Sequence, residues 1–171
     1  DQMIQVVKLT MDGAPAACHQ ALTIDGQFPT HLRAEYATVT GVKLKSMRWM
    51  EKFGEWKISE NLADWQSGTD QASWEVNVLH PGSYSVTVED ACCVGADESE
   101  WLLRSSDDSC AFLALDTGLR DGKRPRMRYQ VVEEGVLTFD KPGVQSVTFS
   151  PRGVPASGGI WVKQVIVKPF R

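Results

Sequence analysis

Short runs in which apolar and polar residues alternate recur throughout this 171-residue sequence. In WEVNV (74–78), Trp74, Val76 and Val78 share one face of a strand, while Glu75 and Asn77 share the other. Turn residues separate these runs, among them the clusters DG, TG, PG, KPG and SGG. No long segment has the 3.6-residue spacing of an amphipathic helix. The pattern therefore predicts an all-β chain folded as a β-sandwich.

The strands and their pairing can be predicted from the same pattern. The predicted strands are IQVVKLTM, HLRAEYATV, SWEVNV, SYSVTVED, WLLRS, AFLALD, GVLTF, VQSVTFS and IWVKQVIVKP. The Pro-Gly turn in LHPGS predicts that SWEVNV and SYSVTV form an antiparallel hairpin, and DKPG predicts a second hairpin that includes VQSVTFS. The stretch LKSMRWMEKFGEW is expected to hold at most a short helical turn.

Composition bounds the size of the fold and the classes of partner. The chain is 42% hydrophobic with a formal net charge of −4, so we expect one domain with an ordinary core. A mildly acidic chain has no overall attraction for nucleic acid or for an anionic membrane. No apolar run approaches the ~20 residues needed to cross a bilayer. A boundary near Phe28-Pro29-Thr30 would make residues 1–30 an N-terminal strand extension or a linker, and residues 31–171 the main β-sandwich.

The four cysteines leave two interpretations open. Cys92 and Cys93 are adjacent, Cys110 is near them in sequence, and Cys18 is remote. They are either small buried hydrophobic residues or the partners of one or two disulfides in an exported protein. Their spacing lacks the paired C-x-x-C pattern of a zinc site.

Resemblance to a known group of modules rests on six segments in order: AEYATVTG (34–41), DWQSGTDQASWEV (64–76), NVLHPGSYSVTVEDAC (77–92), LALDTG (113–118), GVLTFDKPGVQSVTFSPRG (135–153) and IWVKQVIVKP (160–169). In order and spacing they resemble the galactose-binding-like jelly rolls of carbohydrate-binding module families 6 and 35. Within these, the pattern is similar to modules attached to bacterial family 29 α-L-fucosidases and to some sulfatases. The resemblance covers roughly residues 31–170 and implies a jelly-roll β-sandwich that binds sugar without catalysis.

Two departures from the family pattern affect its metal and ligand sites. Glu35 matches a residue that helps to hold a structural calcium in families 6 and 35, but Lys163 stands where the last strand usually has an Asp. Calcium needs several oxygen ligands, so either a calcium remains at Glu35 or a Glu35–Lys163 ion pair replaces it. Family 6 modules often carry a sugar-stacking Trp after the Thr-Gly pair; here Leu119 follows, and then the basic stretch RDGKRPRMRY (120–129).

Candidate ligand-binding residues combine aromatic planes with polar groups, because the C–H face of a sugar ring packs on an aromatic ring while fixed polar groups bind its hydroxyls. They are Trp56, Trp65, Asp64, Gln66, Asp70, Arg120 and Arg124. Trp65 could equally be a plug folded under its loop. The basic stretch could be a solvated loop, a contact with an acidic neighbour, or an anion site for a sulfated or uronic-acid sugar.

The other aromatic residues are expected to pack in the core. Trp74 and Tyr84 alternate with valines, and Trp161 lies in the apolar last strand. Trp101, before LLR, is ambiguous, with packing favoured.

The sequence thus predicts a non-catalytic carbohydrate-binding module that targets an attached glycan-degrading enzyme to its polysaccharide. Its partners would be carbohydrate and an upstream catalytic domain of the same polypeptide, secreted or periplasmic in a bacterium. The alternative is a structural accessory domain that packs on a fucosidase-like catalytic domain and binds no ligand. No nucleophile motif or defined carboxylate pair indicates an enzyme.

Overall fold

A computed structural model describes residues 22–50, 56–92, 95–117, 129–156 and 159–170, without the side chains of residues 49, 50, 56 and 57. One 3-10 turn, Ala34–Tyr36, accompanies twelve strands in these ranges. The strands are β1 Leu22–Ile24, β2 Thr30–Arg33, β3 Thr38–Thr40, β4 Lys43–Met50, β5 Trp56–Ala63, β6 Gln71–Val78, β7 Gly82–Cys92, β8 Glu100–Arg104, β9 Ser109–Leu113, β10 Gln130–Phe139, β11 Gly143–Pro151 and β12 Ile160–Pro169. The prediction of an all-β chain is confirmed.

Two sheets form the sandwich. The first has the order β1-β6-β11-β8-β9, with β3 also paired to β6. The second has the order β10-β7-β12-β5-β4, with β2 also paired to β12. Strands that are neighbours in sequence often lie in different sheets, as in a jelly roll. The predicted fold class, a jelly-roll β-sandwich, is therefore confirmed.

Both predicted hairpins are wrong, although their strands exist. β6 and β7 flank the LHPGS turn, but β6 pairs with β11 and β7 with β10 and β12. Likewise β10 and β11 flank DKPG and lie in opposite sheets. Each Pro-Gly turn carries the chain from one sheet to the other. The alternation of apolar and polar residues determines which face of a strand is buried. It does not determine whether the next strand pairs with it in a hairpin or crosses to the other sheet, because the buried face is the same in both cases.

Of the stretch expected to hold at most a short helical turn, residues 44–50 lie in β4 and Trp56 begins β5, while residues 51–55 lie outside the described residues. β4 and β5 pair antiparallel over their whole length, from Lys43 opposite Ala63 to Met50 opposite Trp56. β4 is an edge strand of the second sheet, and its lysines suit an edge because charge discourages pairing with another chain. With little of β4 buried, its sequence lacks the apolar alternation that marks the central strands.

The core fills the space between the two sheets. Trp74 and Tyr84 are buried in it as predicted, with 1% and 4% of their surface exposed. Trp101 is fully buried, and its ring stacks on Phe149 with centroids 5.4 Å apart. Each indole N–H has an acceptor: Trp74 donates to the Arg33 carbonyl at 2.8 Å, and Trp101 to the Ser99 hydroxyl at 2.9 Å. Buried aromatic residues therefore hold the sheets together without unpaired donors.

Gly159 gives a test of packing at one end of this core. Its φ is +76°, and a Cβ there would lie 3.0 Å from Trp101 Cζ2 and 3.2 Å from Trp65 Cδ1. Gly159→Ala is therefore expected to lower the free energy of unfolding by about 1–2 kcal/mol, through backbone strain and crowding against rigid rings. Chemical denaturation measures it. The control is Gly153→Ala, which meets no atom within 4 Å; an equal loss in both variants would contradict the explanation.

The two cysteines whose surroundings are described, Cys92 and Cys110, are both buried. The Cys110 thiol donates to the Glu134 carbonyl at 3.4 Å. Burial raises the pKa of the Cys110 thiol. Cys18 and Cys93 lie outside the described residues. In the described part of the chain, no helix has the length and apolar character needed to span a membrane.

Candidate functional site

Trp65, the predicted loop platform, lies in the core. It is 0% exposed, and its Nε1–H donates to the Ile160 carbonyl at 2.8 Å. Its ring contacts Trp101 edge-on, with centroids 5.0 Å apart. The ring offers no face to a ligand, so the plug interpretation is correct and the stacking interpretation is wrong. The reason is that Trp65 follows the end of β5, where its large indole fills space between the two sheets.

The polar residues around Trp65 organise its loop. Asp70 is 5% exposed, and its Oδ2 accepts the backbone N–H groups of Gln66 and Ser67 at 2.6 and 3.0 Å. Such a carboxylate satisfies buried donors of a turn and is not available to a sugar. The Gln66 side chain is exposed, whereas Asp64 is paired with lysines of β4. The structure therefore gives Asp70 a structural role and leaves Asp64 and Gln66 near the surface.

Three other predicted ligand residues cannot be placed. Arg120 and Arg124 lie outside the described residues. Trp56 opens β5 and its backbone pairs with Met50, but its side chain is outside the description. Their roles stay predictions.

The surroundings of Glu35 do not fit a calcium ion. Its Oε1 lies 3.5 Å from Arg33 Nη1, and Lys163 lines the same cleft. Lys163 itself pairs with Glu89 at 2.7 Å, so the alternative Glu35–Lys163 ion pair does not form either. Among the residues that the structure describes, no group of three or more His, Cys, Asp or Glu side chains could hold a metal. Two nearby cations make this a poor site for a divalent ion.

Trp161, predicted to be core, is partly buried and packs against the core, but it does so from the outer face of the second sheet. In the pairing of β12 with β7, Ile160 lies opposite Cys92 and Val162 lies opposite Asp90. Side chains of paired residues share a face of the sheet, whereas successive residues along one strand point to opposite faces. Ile160 and Val162 are fully buried core residues, so Trp161 between them projects from the opposite face. The indole is partly buried, and Lys45 Nζ lies 5.4 Å from its ring centroid.

Lys45, whose ammonium lies over this indole, leads to a series of contacts with Asn61, Tyr129 and Lys163. Lys45 pairs with Asn61 across β4 and β5. The Tyr129 hydroxyl donates to Asn61 Oδ1 at 2.5 Å, and Lys163 Nζ lies 5.7 Å from the Tyr129 ring centroid. We call the surface formed by Trp161, Tyr129, Lys45 and Lys163 the Trp161 face; Asn61 is 0% exposed, so it positions Tyr129 and is not part of this surface. The face combines two partly buried aromatic rings with ammonium groups, which is chemistry that sugar-binding surfaces use.

Hydrogen bonds fix the polar groups of the Trp161 face. Glu89 accepts from Lys163 Nζ at 2.7 Å and from Gln164 Nε2 at 2.5 Å. Gln164 Oε1 in turn lies 2.9 Å from His31 Nδ1. Burial raises the pKa of Tyr129, and the Glu89 charge raises it further, so its hydroxyl stays a neutral donor. A network held in this way presents its groups in one arrangement.

A cleft of about 210 Å³ adjoins the Trp161 face. It lies where β12 changes its partner: Val162 pairs with β5, and the residues from Gln164 onward pair with β2. Between Val162 and Gln164, the register of β12 against β7 also shifts. Its lining residues are Arg33, Glu35, Ile58, Ser59, Glu60, Lys163 and Gln164. The cleft shares Lys163 with the Trp161 face. We take the Trp161 face and this cleft together as the candidate functional site.

A larger depression on the first sheet fits a sugar less well. It has a volume of about 420 Å³ and is lined mainly by Ser, Thr, Glu and Val side chains. Trp74, the aromatic residue at its wall, is 1% exposed and offers no ring face. Hydroxyl groups alone bind sugar weakly in competition with water.

Two carboxyl groups of the second sheet, Asp90 and Glu134, have raised pKa values. Asp90 pairs with the core residue Val162 and with Gln130, whose Nε2 donates to its Oδ1 at 3.1 Å. Burial raises the pKa of Asp90 to about 6. Burial and then the Asp90 charge raise the pKa of Glu134 to about 7. Asp90 is 1% exposed, so a polymer at the surface cannot reach it for catalysis.

The alternation in IWV contained the signal for Trp161: a residue between two core positions of a strand points away from the core. The apolar character of the last strand concealed it. Tyr129 and Asn61 carried no such signal, because their contact joins residues 68 positions apart.

Comparison with known proteins gives structural matches only. No protein-family model and no curated protein matches the sequence. The fold is similar to the C-terminal CBM6 of a marine laminarinase from Zobellia galactanivorans, with a TM-score of 0.55 and 14% identity over 82% of this chain and 99% of that one. It is also similar to a β-1,3-glucan-binding CBM6 from Bacillus halodurans, with a TM-score of 0.57 and 17% identity over 84% of this chain and 97% of that one.

The same fold also occurs in proteins of other kinds. The mosquito-larvicidal Cry4Aa toxin from Bacillus thuringiensis matches with a TM-score of 0.66 and 14% identity over 88% of this chain and 25% of the toxin. Six longer solved chains are matched over only 13% to 28% of their length. At these identities the matches establish a fold shared with CBM6 modules, and the site has to carry the argument about function.

Proposed function

We propose that this domain is a non-catalytic carbohydrate-binding module whose ligand binds at the Trp161 face. The observation that carries the proposal is Trp161 itself, a partly buried indole on the outer face of a sheet, beside the Lys45 ammonium. The fold shared with two CBM6 modules of matching length supports it.

Binding would use the side chains of this face in distinct roles. A pyranose packs its C–H face on the indole of Trp161 only after the Lys45 ammonium, which lies 5.4 Å from the ring centroid and 2.6 Å from Asp64 Oδ1, is displaced from the ring. Lys163 and Gln164, held by Glu89, present donors from the neighbouring cleft. A shallow surface forms few contacts, so the affinity is weak and its use is to keep an attached enzyme close to its polymer.

The wider context also forms part of the proposal. We propose that the module belongs to a longer glycan-degrading protein, secreted or periplasmic, such as a fucosidase or sulfatase. Support comes from the sequence resemblance and from the fact that the fold makes up about a quarter of several longer solved chains.

Trp161→Ala tests the site. We expect it to weaken binding about tenfold or more, equivalent to about 1.4 kcal/mol, because the stacking surface is lost. Isothermal titration against a panel of soluble plant, algal and host glycans, including a β-1,3-glucan, measures the effect. Phe28→Ala is the matched control, since Phe28 is an aromatic residue with 66% of its surface exposed outside this face. Equal affinities for Trp161→Ala and the parent would refute the site.

A second candidate function is supported by a different surface. On β9 and just beyond it, Ala111, Leu113 and Leu115 project outward, with the two leucines 55% and 54% exposed. Such an apolar row suits packing on a neighbouring domain. Together with the burial of Trp65, Trp74 and Trp101, it favours a structural accessory domain. If isothermal titration detected no binding to any glycan of the panel, the structural accessory domain would be the better explanation of this protein.

A further inference from the structure

Lys45 and Trp161 meet on the outer face of the second sheet, although they lie on different strands. β5 separates β4 from β12 in the strand order, so the lysine side chain reaches across β5 to the indole. Lys45 Nζ lies 5.4 Å from the Trp161 ring centroid, within the distance of a cation–π contact. The indole packs against the core on its inner side. The ammonium therefore lies on the side of the ring that a sugar would use.

Asp64 holds the ammonium in this position. Its Oδ1 lies 2.6 Å from Lys45 Nζ, and its Oδ2 lies 3.6 Å from Lys43 Nζ. The Lys45 hydrogen bond lowers the pKa of the Asp64 carboxyl, and the charges of both lysines lower it further, so the carboxyl is ionised at neutral pH. The Lys45 ammonium is therefore held by two contacts, one with a carboxylate and one with an aromatic ring.

Of the two partners in this ion pair, the lysine is the one that can move. Asp64 has a φ of +59°, a left-handed conformation that Asp tolerates better than most residues. The next residue, Trp65, is locked in the core by its ring contacts and hydrogen bond. The Lys45 side chain, by contrast, is 39% exposed and has a flexible stem. Asp64 is therefore an anchor, and Lys45 can swing away from the ring without rearranging the core.

We infer that Lys45 is an autoinhibitory cap on Trp161, which keeps the ring covered in the free domain and has to leave it before a sugar can stack. This inference rests on the proposed function. An exposed ion pair and an exposed cation–π contact each contribute little in water. The cap therefore lowers the affinity for sugar by a factor of about three to ten and does not close the site. Because salt weakens an exposed ion pair, an uncharged sugar should bind more tightly as the ionic strength rises.

The cap can be tested without a ligand. In Lys45→Thr, the new residue suits a strand, and its short side chain cannot reach the indole. Acrylamide, an uncharged quencher, is expected to quench tryptophan fluorescence more strongly in Lys45→Thr than in the parent. In a Trp161→Phe background the same substitution should make no difference, because the responding indole is absent. Equal quenching of Lys45→Thr and the parent would show that the lysine does not cover the ring, and would overturn the inference.

Isothermal titration measures the effect of the cap on affinity. The probe is the uncharged glycan that binds the parent best in the panel, or a β-1,3-glucan hexasaccharide if the parent binds none. At low ionic strength, Lys45→Thr is expected to bind about threefold to tenfold more tightly than the parent. At about 1 M salt the affinity of the parent should approach that of Lys45→Thr, which itself should respond little to salt.

Two further variants assign the effect to the anchored lysine. Asp64→Asn keeps a residue suited to the left-handed backbone and removes the charge of the anchor, so a gain of about twofold is expected. Arg152→Gln is the matched control, because it removes the cation of another exposed ion pair, with Glu100 of the first sheet, and should leave the affinity unchanged. Thermal melts establish that each variant is folded.

The outcomes separate this inference from the function on which it rests. Weaker or unchanged binding by Lys45→Thr would overturn the inference and leave the sugar-binding function intact, because Lys45 would then be a ligand contact or a bystander. Binding by Lys45→Thr where the parent binds nothing would support both. If neither protein bound any glycan of the panel, both would be overturned, even if quenching showed that the lysine covers the ring.

Discussion

Replacing Trp65 with alanine is expected to lower the free energy of unfolding by about 3–5 kcal/mol. The side chain is 0% exposed and packs against Trp101 and Phe149, with ring centroids 5.0 and 5.7 Å away. Removing the indole opens a large cavity between the sheets and leaves the Ile160 carbonyl without its donor. Urea denaturation followed by circular dichroism measures the loss.

A conservative variant and a binding assay make this result specific. Trp65→Phe keeps a ring in the space but loses the N–H donor, so its cost should be clearly smaller than that of the alanine variant. The competing interpretation assigned Trp65 to the ligand. It would be restored if Trp65→Ala kept its stability and lost sugar affinity.

Stability is expected to fall as the pH rises from about 4 to about 6, because Asp90 is buried. Its pKa is raised from 3.8 to about 6 in the folded protein. A carboxyl group with a raised pKa holds its proton more tightly when folded, so its contribution is favourable below pH 3.8 and is lost as the pH rises through 6. Two pKa units correspond to a change on the order of 3 kcal/mol. Glu134 extends the decline toward pH 7.

Asp90→Asn tests this assignment. The amide keeps an acceptor for Gln130 Nε2 and cannot ionise, so the variant should be more stable than the parent at pH 8 and nearly equal to it at pH 4. Removing the Asp90 charge also removes one cause of the raised Glu134 pKa. Urea titrations at several pH values measure the effect. Glu133→Gln, at an exposed position of β10, the strand that pairs with β7, is the control. If the free energy of unfolding of Asp90→Asn still fell with pH as steeply as that of the parent, other groups would be the cause of the pH dependence.

Much of the fold could be predicted from local pattern. Alternation in SWEVNV and SYSVTV correctly placed Trp74 and Tyr84 in the core. The pair β4 and β5 was missed because an edge strand with charged side chains on much of its surface does not alternate in the same way. Strand pairing was mistaken at both Pro-Gly turns, since a short turn allows either a hairpin or a crossing between sheets.

The candidate site was predicted less well than the fold. The sequence pointed to the loop around Trp65, where polar residues surround an aromatic one. Asp70 is there to satisfy backbone donors, and Trp65 is there to fill the core. Polar groups that serve a turn and polar groups that serve a ligand are the same residue types, so composition cannot separate them.

The sequence by itself determined that the chain is a β-sandwich and which side chains of its central strands face inward. Both follow from a two-residue period that is imposed by the geometry of every strand. The tertiary structure alone decided which strands pair, that Trp65 is covered, and that Tyr129 lies against Asn61. Those outcomes depend on contacts between residues far apart in the chain, such as the 2.5 Å hydrogen bond from Tyr129 to Asn61. No local period encodes which distant strand will be the neighbour.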